Sequence, residues 1–301
     1  MEKLINELIT EVKNLSNSVK NLEEKLETIE KEIIIKSDNK VYSVDCSGRD
    51  TIENSKLAIA PDCFNLNTKY LFENMVVGSN NELAYKSALK VAQNPGHDMK
   101  LLYIYGDVGL GKTHLLNSIS NYIIENNKSL NVTYITINNF TNELIDSISN
   151  NTKDLFNSKF YNSDVLIFDD MQNINGKERT QEEFKDIVNI ALDKGKQVVL
   201  GSSKPSYEIV INGEKLESVF EINAAFQLKK LDVNTRIRIL KEMVGKEHGL
   251  RIDDDTINII AENTDTNVRE LIGAYNKLIS YIRMMDKDID REKILNIIYT
   301  D

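Results

Sequence analysis

YIYGDVGLGKTHLLNSI, residues 103–119, is the stretch from which the rest of the chain is read. It sets Gly106, Gly111, Lys112 and Thr113 in G-x-x-x-x-G-K-T spacing, directly after an apolar strand-like run and directly before a helical pattern. Glycines at those points let main-chain N–H groups wrap a phosphate, and the helix that follows turns the positive end of its dipole toward it. Lys112 then reaches the β- and γ-phosphates of a nucleoside triphosphate, and the Thr113 hydroxyl serves Mg²⁺. The run Gly106, Asp107, Val108, Gly109, Leu110, Gly111, Lys112, Thr113 and His114 is the candidate cofactor-binding segment, with His114 on a helix face where packing comes before chemistry.

On either side of this loop, apolar runs alternate with helical patterns: LLYIYG at 101–106, NVTYITI at 131–137, DVLIF at 164–168 and QVVLGS at 197–202. Strands apolar on both faces and joined by helices predict a three-layer α/β domain with a parallel sheet, here over residues 69–232. DVLIF runs straight into Asp169 and Asp170. An acid at the end of a buried strand near a phosphate loop holds the metal, and its neighbour polarises the attacking water. Asp169 is therefore a candidate metal ligand beside Thr113, and Asp169 and Asp170 join Lys112 as catalytic candidates. Residues 233–301 carry helical patterns only and predict a small helical lid.

At the N-terminus, Ile5, Leu8, Val12, Leu15, Val19, Leu22, Leu26, Ile29 and Ile33 alternate three- and four-residue steps. That heptad seam, with β-branched residues prominent in one position and Leu in the other, predicts a coiled-coil helix over 1–36 and a homodimer through residues 5–33. Residues 37–68 are polar and turn-rich and read as a linker. Among 301 residues, 41% are hydrophobic and 28% charged, enough for one good-sized core and a satellite domain. No run reaches the length of a membrane span and no signal peptide is legible, so the expected location is cytoplasmic, with no membrane partner. Two separated cysteines and three histidines argue against a redox or histidine metal centre. A net charge of −10 opposes nonspecific phosphate binding, so any contact with single-stranded DNA is expected to be local and weak.

YLFENMVVGSNNELAY, LLYIYGDVGLGKTHLL, FTNELI, DVLIFDDMQNINGKERTQEEF, KQVVLGSSKP, NTRIRIL and NVRELIGAYNKL resemble, in order and spacing, the motifs of the ATPase core of the DnaA family of AAA+ bacterial replication initiators. The resemblance runs from about residue 70 onward. It implies ATP with Mg²⁺ as the ligand, Val76, Val77 and Gly78 at the adenine pocket, and Arg269 as the lid arginine that reaches the γ-phosphate. It also implies a single-stranded DNA face around residues 139–160 and 177–179, where Lys153, Lys159, Lys177 and Arg179 lie among acids.

Three departures stand out against that family. Its arginine finger, in an R-S-R-F stretch, aligns with Glu217, Ser218, Val219 and Phe220, so the finger is gone and weak intrinsic ATPase activity is expected. Its S-D-R-P stretch reads Ser202, Ser203, Lys204 and Pro205, which removes a water-orienting acid. The sequence stops at Asp301, shortly after the lid, so no specific reader of duplex DNA is expected. Three functions stay open at this level. One is a subunit acting in or regulating replication initiation by ATP-dependent assembly with a DnaA-type initiator or a replicative helicase. The others are an ATP-hydrolysing helicase loader or plasmid or phage initiator, and a non-hydrolysing ATP-bound scaffold.

Overall fold

The computed structural model describes residues 66–222, 224–246, 252–264, 267–285 and 291–299. The heptad seam, almost all of the linker, Cys46 and Cys63 lie outside the described residues.

Five strands, β1 Leu101–Tyr105, β2 Val132–Thr136, β3 Val165–Asp169, β4 Gln197–Ser202 and β7 Ala224–Gln227, form one sheet in the order β2-β3-β4-β1-β7. Every neighbouring pair is parallel. Period-two alternation splits the sheet residues between two cores. Tyr103, Ile135, Leu166, Phe168, Val198 and Leu200 face one cluster. Leu102, Ile104, Val132, Tyr134, Ile167 and Val199 face the other.

Helices α1 Glu82–Gln93 and α2 Lys112–Asn126 cover the second face with Ala84, Ala88, Leu115, Leu116 and Ile119. Helices α3 Ile137–Ser149, α4 Lys153–Tyr161 and α5 Glu178–Asp193 cover the first. There the Phe140 ring meets Phe156, Phe160, Phe168 and Phe184 at centroid distances of 5.2–6.3 Å, mostly tilted or edge-on, the geometry aromatic quadrupoles favour. The predicted three-layer α/β architecture is thus the observed one.

Differences from the sequence expectation are local. Ile137 belongs to α3 rather than to the strand, because the Thr136 hydroxyl caps the helix by accepting from the Asn139 N–H at 3.3 Å. The helical region around 139–160 is two helices, broken where Asn151 takes φ +55. β7 was not anticipated: AAFQ has two alanines, weak strand formers, and sits at the sheet edge. A small hairpin, β5 Val210–Ile211 with β6 Glu214–Lys215, turns through Asn212 and Gly213, both at positive φ, and leads into the short helix α6 Leu216–Val219.

Beyond β7, α7 Val233–Lys246, α8 Asp254–Asn263, α9 Val268–Met285 and α10 Arg291–Tyr299 enclose a separate core of Leu240, Ile260, Leu271, Tyr275 and Leu278. Among the described residues no helix is long and apolar enough to cross a membrane.

Candidate nucleotide-binding site

β1 is flanked by β4 and β7, and the glycine-rich loop leaves its carboxyl end to start α2, where parallel α/β sheets place ligands. Gly106 has φ +149, and a Cβ there would lie 2.4 Å from the Leu228 carbonyl oxygen. The loop can therefore leave the sheet only with glycine at this point. Lys112 is 7% exposed, and its Nζ donates to the carbonyls of Gly106 and Asp107, each at 2.7 Å. Burial weakens its hold on its proton, while Asp169, Asp170 and Asp107 oppose that effect. Two neutral carbonyls do not neutralise a buried ammonium, so the loop fits an anionic group.

Asp169 closes β3 and is 1% exposed. Its Oδ2 accepts from the Thr113 hydroxyl at 2.8 Å and the Tyr134 hydroxyl at 2.9 Å, and its Oδ1 from the Asp170 N–H at 2.8 Å. Burial pushes its carboxyl pKa up and the Asp170 charge adds to this, while the three donors pull it back. An acid paired with a hydroxyl one step into α2 is the donor set that a hard cation takes.

Asp170 stands in the left-handed region at φ 58, ψ 43, an uncommon place for a residue with a Cβ. Its carboxylate accepts from Gln172 Nε2 at 2.9 Å. Gln172 Oε1 accepts in turn from the Ser203 N–H at 2.9 Å and the Ser202 hydroxyl at 3.3 Å, which ties Asp170 to the end of β4.

Two adjoining cavities meet at Tyr70, Gly111, His114, Val268 and Ile272. One, of about 450 Å³, mixes polar and apolar surface and is lined by Val108, Lys112, Thr113, Asp170, Ser203 and Arg269. The other, of about 430 Å³, is mostly apolar, with Met75, Val76, Leu110, Leu231, Ile239 and Met243 in its wall. A lysine- and carboxylate-bearing cavity and a mostly apolar one thus adjoin at the glycine-rich loop.

Of the three residues expected at the base, Val76 lines this cavity and Val77 and Gly78 are not in its wall. The Val77 carbonyl accepts from Arg238 Nη1 at 2.8 Å, and Gly78 packs against Thr235 with its N–H bonded to Asn81 Oδ1 at 2.9 Å. Gly106 and Asp107 contribute carbonyls to Lys112 rather than wall. His114 stacks on Tyr70 at 4.8 Å, and its Nε2 lies 2.9 Å from the Leu71 carbonyl oxygen, so it packs while also bordering both cavities. Sequence reading missed Tyr70, Tyr134, Gln172 and the lid residues Ile239 and Met243, which reach the site from separate elements.

On the α3–α5 surface, Lys153 pairs with Glu183 at 2.6 Å and Lys159 with Glu143 at 2.8 Å, while Lys177 donates to Asn138 Oδ1 at 3.2 Å. Val219 is partly buried against the phenylalanine-rich core beside Phe220, and Glu217 accepts from the Ser206 hydroxyl at 2.9 Å.

A parallel sheet of this order, a phosphate loop between β1 and α2, and a helical lid define a P-loop module of the AAA+ class. The bacterial DnaA ATPase domain family matches residues 66–227. The chromosomal replication initiator protein DnaA of Lachnoclostridium phytofermentans is 40% identical over 267 residues, 88% of this chain and 57% of that protein. Domain III of the Thermotoga maritima replication initiation protein DnaA superposes with a TM-score of 0.71 at 39% identity, covering 77% of this chain and 96% of that one. A replication initiator DnaA bound to AMPPCP and single-stranded DNA gives 0.66 at 34% identity, covering 74% and 67%. The chain belongs to the DnaA family, and it spans 57% of the length of the L. phytofermentans relative.

Proposed function

We propose that this chain is an ATP- and Mg²⁺-binding subunit that acts in the cytoplasm in the initiation of DNA replication, and that accepts a catalytic arginine from a neighbouring initiator while offering none. The observation that carries the reading is a contrast: the buried Lys112 is held by the loop carbonyls of Gly106 and Asp107 and Thr113 is bonded to Asp169, whereas position 219 is a valine packed against the core.

In this reading Lys112 binds the β- and γ-phosphates, and Thr113 and Asp169 hold Mg²⁺. Asp170 polarises the attacking water, and Arg269 reaches the γ-phosphate from the lid. The apolar cavity around Val76 and Met75 takes adenine. Bound Mg²⁺ supplies charge neutralisation on the phosphates. A DnaA relative bound to AMPPCP and single-stranded DNA supports both ligands, with DNA held weakly here because Lys153 and Lys159 are already paired with acids. The partners are a DnaA-type initiator or a replicative helicase, with self-association through residues 5–33.

The test is ATP hydrolysis by this chain mixed with a DnaA-type initiator that keeps its finger but carries a phosphate-loop Lys→Ala change. A rate well above the slow intrinsic one is expected only in the mixture; a mixture as slow as the proteins alone sinks the accepted-arginine mechanism. A second reading, an ATP-bound scaffold without turnover, draws on Ser203 standing where the family has an acid. It predicts the same rate for wild type and Asp170→Asn with normal nucleotide binding.

A further inference from the structure

Tyr134 stands on β2 with its ring in the core on the α1–α2 side of the sheet and is 4% exposed. A phenol this deep needs a partner for its proton. The proton goes to Asp169 Oδ2 at 2.9 Å.

Behind Asp169, a Cβ on Gly201 would come within 2.9 Å of Oδ1, so the carboxylate has the β4 main chain at its back and cannot withdraw. Thr113 donates to the same Oδ2 at 2.8 Å. Tyr134 therefore sets the angle at which that oxygen faces the Thr113 hydroxyl, from a strand outside both phosphate-site motifs.

Resting on the metal role proposed above for Asp169 and Thr113, we infer that Tyr134 is the positioning residue for the Mg²⁺ ligand, its hydroxyl holding the Asp169 carboxylate turned toward Thr113. Groups hydrogen-bonded to a metal-binding carboxylate set its orientation and commonly matter nearly as much as the ligand. Phenylalanine at 134 keeps the ring and its packing, deletes this bond, and leaves the Asp169 carboxylate held by the Thr113 hydroxyl and the Asp170 N–H, with Oδ2 one donor short.

The experiment titrates fluorescent mant-ADP into the full chain, wild type and Tyr134→Phe, in EDTA and at rising free Mg²⁺. Affinity in EDTA stays within about twofold of wild type, while the Mg²⁺ concentration needed for half-maximal tightening rises on the order of tenfold. An unchanged Mg²⁺ midpoint overturns the inference, as does an equal loss of affinity with and without metal, which would make Tyr134 a packing residue. Melting in EDTA checks the fold. A wild-type curve flat in Mg²⁺ overturns the metal reading itself and the inference with it.

Discussion

The main-chain N–H of Val268 donates to the carbonyl of Gly109 at 3.0 Å, so the first turn of α9 rests on the phosphate loop. Asn267 prepares that contact. Its Oδ1 accepts from the Glu270 N–H and its amide donates to the Glu270 carboxylate, both at 2.9 Å, a reciprocal cap that fixes the helix start. Arg269 follows directly and borders the phosphate cavity. The first turn of the lid helix and the loop are thus mechanically linked, a physical route from the loop to the lid.

Gly109→Ala tests that link. Gly109 has φ +81, and a Cβ there would meet Asn267 Oδ1 at 2.6 Å; Gly195 has φ +70 and nothing within 4 Å. Alanine in the left-handed region costs about 1–2 kcal/mol at either site. Only at 109 does it also push the lid away. Both variants are expected to melt lower than wild type, and only Gly109→Ala to lose ATP affinity, on the order of tenfold, in a mant-ATP titration. Equal affinities for the two variants would detach the lid from the loop.

Asp170 combines a left-handed backbone with a carboxylate beside a buried carboxylate. Asparagine tolerates that backbone region, keeps an oxygen for Gln172 Nε2 and removes the repulsion with Asp169. Asp170→Asn is therefore expected to melt about 2 °C higher without nucleotide, while single-turnover hydrolysis collapses. A lower melting temperature would mean that no destabilisation is stored at this position.

What the sequence revealed and what it concealed follow from range. The phosphate loop, the acid pair and four of five sheet strands were legible because their signals are local: glycine spacing, period-two burial, an acid at a strand end. β7 was hidden because AAFQ owes its strand state to pairing with β1 rather than to propensity. The apolar cavity was legible only at Val76, since Leu231, Ile239 and Met243 come from the lid and no spacing rule joins them to Met75. Tyr134 looked like one more apolar strand residue; only the fold shows that its hydroxyl ends at Asp169.

His114 should make stability depend on pH. Burial, with a smaller push from Lys246, lowers its pKa below the usual 6.5, against a lesser pull from the Leu71 carbonyl. The unfolded chain takes up the proton first as pH falls, so stability is fully present above about 6.5 and is lost progressively below it. His114→Gln keeps a donor for the Leu71 carbonyl and does not titrate. Melting temperatures from pH 7.5 down to 5.5 should fall more steeply for wild type than for the variant. Parallel curves would show that the ring is protonated as readily folded as unfolded.

Gln172 bridges the attacking-water candidate and the end of β4, with its amide orientation fixed from both sides: donors from Ser203 and Ser202 meet Oε1, and the Asp170 carboxylate meets Nε2. Leucine has similar bulk and removes both links. Asp170 then loses its side-chain donor, and the Ser203 N–H loses its acceptor at the wall of the phosphate cavity. Because neither group lines the apolar cavity, ATP affinity should stay within about twofold while the single-turnover rate, followed with radiolabelled ATP over hours, drops on the order of tenfold. A parallel fall in affinity would instead mark Gln172 as a support of the whole loop, and an unchanged rate would mean Asp170 is aimed without it.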